Sequence, residues 1–179
     1  MRKIRYRVAM SLDGYIAGPK DEFDWIATDP DVDFAAVFKQ FDTLLIGRRT
    51  FEVMAKHGNT AIPGMKTIVF SRTLKQSEYP DVTIVTEGCE KTAATLREKR
   101  GKDIWLFGGG SLFQSFLGAG LVDTVEVEVI PVLLGEGIPL LPSPAKQAKL
   151  KLTSHNVYKS GRVSLQYAVK ESTYKVRAV

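Results

Sequence analysis

Ile104-Trp105-Leu106-Phe107-Gly108-Gly109-Gly110-Ser111-Leu112 is an apolar run that meets three glycines and then a serine. A short, wholly apolar run closed by glycine reads as a strand covered on both faces. The spacing of Leu112, Phe113, Phe116 and Leu117 behind it is helical, and Ser111 suits the cap of that helix. A strand passing through a glycine turn into a helix is the unit from which α/β sheets are built. Leu44-Leu45-Ile46-Gly47-Arg48-Arg49-Thr50 has the same form, and Ile68-Val69-Phe70-Ser71-Arg72-Thr73 shares its strand and turn.

Outward from these segments the alternation continues. Residues 3–10 alternate, with Ile4, Tyr6 and Val8 on one face of a strand, and Ser11-Leu12-Asp13-Gly14 is turn chemistry. An acidic loop leads to a helix marked by Phe34, Val37, Phe38 and Phe41, with Asp33 or Asp31 at its cap. Strands are expected at 43–46, 66–70 and 82–85, and helices at 49–56 and 90–100. Residues 124–129 place Val125, Val127 and Val129 on one face and Glu126 and Glu128 on the other. Beyond the proline-rich stretch 139–144, strands at 150–158 and 162–169 flank a Ser160-Gly161 hairpin turn. The order predicts a mostly parallel α/β sheet with helices on both faces and antiparallel strands at one edge. No repeat or long linker divides residues 1–179, so one domain is expected.

Hydrophobic residues make up 44% of the chain and charged ones 25%, which excludes intrinsic disorder and a coiled-coil rod. No apolar run is long enough for a membrane helix, and the alternating start lacks the apolar core of a signal peptide, so the cytoplasm is the expected compartment. Cys89, a lone cysteine at a helix start, can form neither an internal disulfide nor a thiolate metal cluster. The net charge of +5 is uneven: residues 1–7 carry +4, residues 8–145 carry −6 and residues 146–179 carry +7, and 4 − 6 + 7 = 5. A basic excess suggests an anionic macromolecule such as nucleic acid. Here it sits in strand patterns at the two ends, so a small-molecule partner is expected rather than nucleic acid or membrane.

Turns at the carboxyl ends of parallel strands form the ligand-binding rim of an open α/β sheet. A helix start offers free amides and a positive dipole, glycine admits close approach, and guanidinium groups match phosphate oxygens. Three such turns with Arg48, Arg49 and Arg72 suit a ligand with several phosphates, for which NADP is economical. The triple glycine does not match the dinucleotide fingerprint of an ordinary Rossmann site.

Together with Val8-Ala9-Met10-Ser11-Leu12-Asp13-Gly14-Tyr15-Ile16-Ala17 and Pro131-Val132-Leu133-Leu134-Gly135-Glu136-Gly137, these motifs resemble the dihydrofolate reductase superfamily. More narrowly, the chain resembles stand-alone relatives of the reductase domain of the riboflavin-biosynthesis deaminase-reductase, whose activity is reduction of 5-amino-6-(5-phosphoribosylamino)uracil. The resemblance implies a three-layer α/β/α fold around a sheet of about eight strands, NADPH as cofactor, and commonly a homodimer. It implies that Gly47, Arg48, Arg49 and Thr50 hold the NADPH phosphates and that Ser71, Arg72 and Thr73 grip the 2′-phosphate. It further implies that Gly108, Gly109, Gly110, Ser111 and Leu112 form the pyrophosphate turn with a cis Gly-Gly peptide, and that Ala9, Ile16 and Ala17 flank the nicotinamide. Asp33, opening the helix after the first loop, matches the family's catalytic carboxylate; helix capping is its other reading, and Asp13 and Asp31 are weaker candidates.

The chain also departs from its relatives. Phe107 stands where the riboflavin-pathway reductases carry glutamate, the zinc-deaminase signature is missing, and an acidic stretch at 20–33 replaces a proline- and tryptophan-rich loop. Trp25 within it is either a lid on the substrate pocket or a satellite core aromatic. An acidic lip favours a neutral or cationic substrate. The expectation is therefore an NADPH-dependent reductase of a small heterocyclic (pterin- or pyrimidine-like) or carbonyl substrate, with a nucleotide-binding module without turnover as the alternative.

Overall fold

A computed structural model of the protein describes residues 1–170; Glu171, Lys175 and Arg177 of the charge count lie outside the described residues. In chain order the elements are β1 (Ile4–Ser11), β2 (Tyr15–Ala17), α1 (Phe34–Phe38), β3 (Phe41–Gly47), α2 (Arg48–Lys56), β4 (Lys66–Phe70) and β5 (Thr83–Val85). They continue with α3 (Cys89–Glu98), β6 (Asp103–Gly108), α4 (Gly110–Gly118), β7 (Thr124–Ile130), β8 (Ile138–Pro139), β9 (Leu150–Val157) and β10 (Val163–Val169). Eight strands form one sheet in the order β5-β4-β3-β6-β1-β7-β10-β9, and β2 pairs with β8 in a small second sheet. The pairs from β5 to β7 are parallel, and β10 runs antiparallel to both its neighbours.

The alternation of each strand sorts its residues between two layers. On one face Ile4 and Tyr6 of β1, Leu45, Ile104, Leu106, Val125 and Val127 pack against Ala93 and Leu96 of α3 and Phe113 and Phe116 of α4. The Tyr6 and Phe113 rings stack at 3.8 Å. On the other face Leu44, Ile46, Val69 and Trp105 pack against Phe51 of α2, and Phe38 of α1 leans on Trp105 at 5.8 Å. Each fully buried side chain of this size contributes roughly 1.5–3 kcal/mol. The structure is thus a three-layer α/β/α fold around an eight-stranded sheet, as the resemblance implied.

Differences from the expected elements have local causes. Phe41 does not extend the first helix; it starts β3 opposite Asp103 and is buried there, leaving α1 only five residues. β2 and β8 are too short to show a periodicity and exist because they pair with each other. Ser111 does not cap α4: Gly109 occupies the cap position without a side-chain hydrogen bond, and Ser111 is exposed within the first turn. Among the described residues no helix is long and apolar enough to cross a membrane.

Candidate active site

The three turns singled out in the sequence follow β4, β3 and β6, adjacent parallel strands, so they share one rim. Gly47 lies beside Phe70, and Ile46 beside Gly108. From β3 the chain enters α2 on one face, and from β6 it enters α4 on the other. Neighbouring strands whose helices leave to opposite faces open a crevice at their carboxyl ends.

Both helix starts at this crevice are built from glycine. Gly47 caps α2 and Gly109 caps α4, neither with a side-chain acceptor for the first-turn amides. The Gly108–Gly109 peptide bond is cis and Gly108 has φ +152°. A Cβ on Gly47 would lie 3.7 Å from the Gly108 carbonyl, and one on Gly109 would lie 3.4 Å from Thr50 Oγ1. The two turns therefore face each other, with Gly110 buried behind them and Leu112 half-buried. Such paired amides, with the dipoles of two nine-residue helices, suit a bridging pair of phosphates.

Three arginines ring the crevice. Arg48 pairs with Glu52 at 2.9 Å and Arg49 with Asp21 at 2.7 Å, both on the surface. Exposed pairs are worth about 0–1 kcal/mol, so either guanidinium can exchange its carboxylate for a ligand phosphate. Arg72 is exposed and has no ion-pair partner among the described residues. Its turn is shaped by Ser71 Oγ, which accepts from the amides of Thr73 at 3.2 Å and Leu74 at 3.0 Å.

The sheet parts next to this crevice. β1 pairs with β6 only from Ile4 to Tyr6, whereas its pairing with β7 runs on to Ser11. Trp105 Nε1 donates to the Arg7 carbonyl at 2.9 Å where the two strands separate. Beyond that point Ala9 and Gly108 continue on strands that no longer pair with each other. Ile16 and Ala17, both half-buried in β2, follow the turn after β1. Asp13 fixes that turn by accepting from the amides of Gly135 at 2.7 Å and Leu134 at 3.1 Å. The Ser11 hydroxyl chiefly, with these amides, holds the Asp13 carboxyl below its ordinary range.

The residues that sequence reasoning missed lie beside Ala9. Arg5 and Arg7 of β1 and Glu126 and Glu128 of β7 share the face covered by α1. Arg5 binds Glu126 at 2.6 Å, Arg7 binds Glu126 at 3.2 Å and Glu128 at 2.6 Å, and Arg5 also reaches Asp103 at 3.3 Å. Burial pushes the Glu126 carboxyl up, but the Arg5 hydrogen bonds and charge outweigh it and leave the group below its ordinary value. The available signal was opposite charge at alternate positions of two strands in a sheet covered on both faces, where no strand face meets open water.

A search of protein families matches residues 2–164 to the RibD C-terminal domain. The chain belongs to that family. Protein YyaP of Bacillus subtilis (strain 168), itself uncharacterized, is 35% identical over 93% of this chain and 94% of its own. A solved structure from Shewanella sp. PV-4, named for riboflavin biosynthesis, superposes with a TM-score of 0.81 at 26% identity, covering 94% of this chain and 99% of its own. Dihydrofolate reductase from Enterococcus faecalis, complexed with NADP(H), superposes with a TM-score of 0.71 over 94% of this chain and 97% of its own; at 18% identity it shows the fold alone. Membership of the family supports an oxidoreductase.

Within this RibD C-terminal domain, Asp33 is exposed at the start of α1, where its Oδ1 accepts from the Ala36 amide at 2.9 Å. Asp31 is likewise exposed. Phe107 is half-buried, edge-on to Trp105 at 5.2 Å, and so extends the apolar wall of the crevice. Trp25 is half-buried in the acidic loop and donates to the Glu22 carbonyl at 3.1 Å.

Proposed function

We propose that the protein is an NADPH-dependent reductase that transfers a hydride to a small heterocyclic (pterin- or pyrimidine-like) or carbonyl substrate. The observation that carries this reading is the junction of two glycine-capped helix starts with the parting of β1 from β6. Gly47 to Thr50 and Gly108 to Leu112 would bind the pyrophosphate through their amides, with Arg48 and Arg49 adding charge. Ser71, Arg72 and Thr73 would take the 2′-phosphate, and Ala9, Ile16 and Ala17 would flank the nicotinamide. When bound, the cofactor supplies the hydride. The chain supplies orientation, an apolar wall at Phe107 that excludes water, and Asp33 as the group that delivers or steers the proton.

Engagement of Asp33 in the α1 cap favours one other reading, a nucleotide-binding module without turnover. NADPH oxidation assayed across pterins, pyrimidinediones, quinones and nitro compounds separates the two. Oxidation of NADPH with any of them is the expected result; tight cofactor binding with no substrate reduced overturns the reductase reading.

The protein would act in the cytoplasm as a homodimer. Exposed Leu150, Leu152 and Val157 on the edge strand β9 support the dimer. Arg2, Arg5 and Arg7 are engaged with Asp42, Glu126 and Glu128, which argues against nucleic acid as partner.

A further inference from the structure

We propose that Glu128 is the substrate-recognising acid of this site, its Oε2 accepting an N–H from a neutral or cationic nitrogen heterocycle. This rests on the reductase reading above and names the substrate class it leaves open.

Glu128 is 8% exposed, and its two oxygens differ. Oε1 accepts from Arg7 Nη2 at 2.6 Å and from Ser164 Oγ at 3.0 Å. Oε2 is buried and has no hydrogen-bond partner. A buried carboxylate oxygen without a donor is costly, and native structures rarely keep one without a use. Its place in the fold supplies the use. Glu128 is the register partner of Ala9 on β1, and paired residues of parallel strands share a face. Glu128 therefore stands on the same sheet face as Ala9, beside the parting of β1 and β6 where the hydride donor is proposed to sit.

The surrounding charge selects the partner. Arg5 and Arg7 contribute +2, while Glu126, Glu128 and Asp103 contribute −3, so the cluster is net −1. Neither guanidinium is left for an anionic substrate group. The unmet need is a donor, and an amino or ring N–H meets it without adding negative charge.

The probes are 2-aminopyrimidine and pyrimidine, which differ by one amino group, titrated against the full chain with and without NADPH by ligand-observed NMR. The wild-type protein is expected to bind the amino compound roughly tenfold more tightly. Glu128→Gln should abolish that preference. Arg7 can only donate, so the amide oxygen must turn towards it and the NH2 must replace the acceptor. Ser164→Ala, which touches only Oε1, should keep the preference, and both variants should keep wild-type NADPH affinity. Equal binding of the two probes to wild type, or a preference that survives Glu128→Gln, overturns the proposal. If Glu128→Gln does not fold, a crystal soaked with 2-aminopyrimidine decides: an amino nitrogen on Oε2 supports the proposal, and a probe seated at Asp33 overturns it. Failure of NADPH to bind wild type would sink the reductase reading, while the cofactor-free titration still judges Glu128.

Discussion

Arg5 grips Glu126 with a two-pronged contact, Nε to Oε1 at 2.6 Å and Nη2 to Oε2 at 2.9 Å, across the junction of β1 and β7. Glu126 is 2% exposed, and the Arg5 guanidinium lies 4.8 Å from the centre of the Phe41 ring. A sheet face that elsewhere carries Leu44, Ile46 and Trp105 here holds ion pairs. That change marks where the apolar core of this face gives way to a buried polar cluster.

Breaking the contact from one side should cost more than removing it. Arg5→Met leaves Glu126 buried beside Arg7 alone, and a loss of about 3–5 kcal/mol is expected in urea unfolding. Arg5→Met combined with Glu126→Leu should lose clearly less, because no charge is left without its main partner. A double variant as unstable as the sum of the singles would show that the two side chains do not act as a pair.

The same contact sets a pH dependence. The Glu126 carboxyl is lowered from its ordinary 4.5 in the folded protein, so its contribution is fully present above about 4.5 and is lost as pH falls through the lower folded value. Urea midpoints of the wild-type protein should therefore decline below pH 4.5, and those of Glu126→Gln should decline less. Asp13 and Asp29, also lowered, contribute in the same direction in both proteins.

Gly137 stands at φ +156° with the Ala17 carbonyl 2.3 Å from where a Cβ would be. Gly137→Ala must push β2 away from β8, and a loss of about 1–3 kcal/mol is expected. Because Ala17 borders the proposed nicotinamide position, NADPH affinity should fall as well. Gly58→Ala provides the contrast: φ there is +76° and nothing lies within 4 Å, so only the backbone cost should appear, with cofactor affinity unchanged.

The fold was legible because Leu44–Ile46, Ile68–Phe70 and Ile104–Phe107 are wholly apolar runs closed by turn residues, and that pattern has few other uses. The shared rim of the turns after β3, β4 and β6 was legible for the same reason, since strand ends and turn residues coincide there. The buried ion-pair cluster was not. Glu126 and Glu128 alternate with valines as they would on a solvated face, and only the pairing of β7 with β1 turns that face inward onto Arg5 and Arg7. Sequence periodicity tells which residues share a face; strand order decides what the face meets. Ser111 failed differently: a good capping residue lies two residues inside the cap position because glycine at 109 lets the chain enter α4 earlier.

Discrimination between the two nicotinamide cofactors should rest on Arg72. It is exposed, without an ion-pair partner among the described residues, on the turn after β4. Arg72→Ala should cut NADPH affinity by roughly 10–100-fold and leave NADH affinity nearly unaltered, because only NADPH carries the 2′-phosphate. Titration of both cofactors by fluorescence measures the ratio, and an unchanged ratio counts against this phosphate site.

Asp33 tests whether a cap can also be an acid. Its Oδ1 already serves the Ala36 amide, a role that asparagine fills equally well at a helix start. Asp33→Asn should therefore keep the wild-type melting temperature, whereas Asp33→Ala should lower it. If Asp33 also delivers or steers the proton, both variants lose turnover by about 10²-fold or more, with NADPH affinity intact. Comparing turnover with melting temperature in Asp33→Asn separates the roles, because a merely structural Asp33 leaves both intact and a proton-handling one loses turnover alone. Undiminished kcat in Asp33→Asn would confine Asp33 to the cap and move proton delivery to another group or to water.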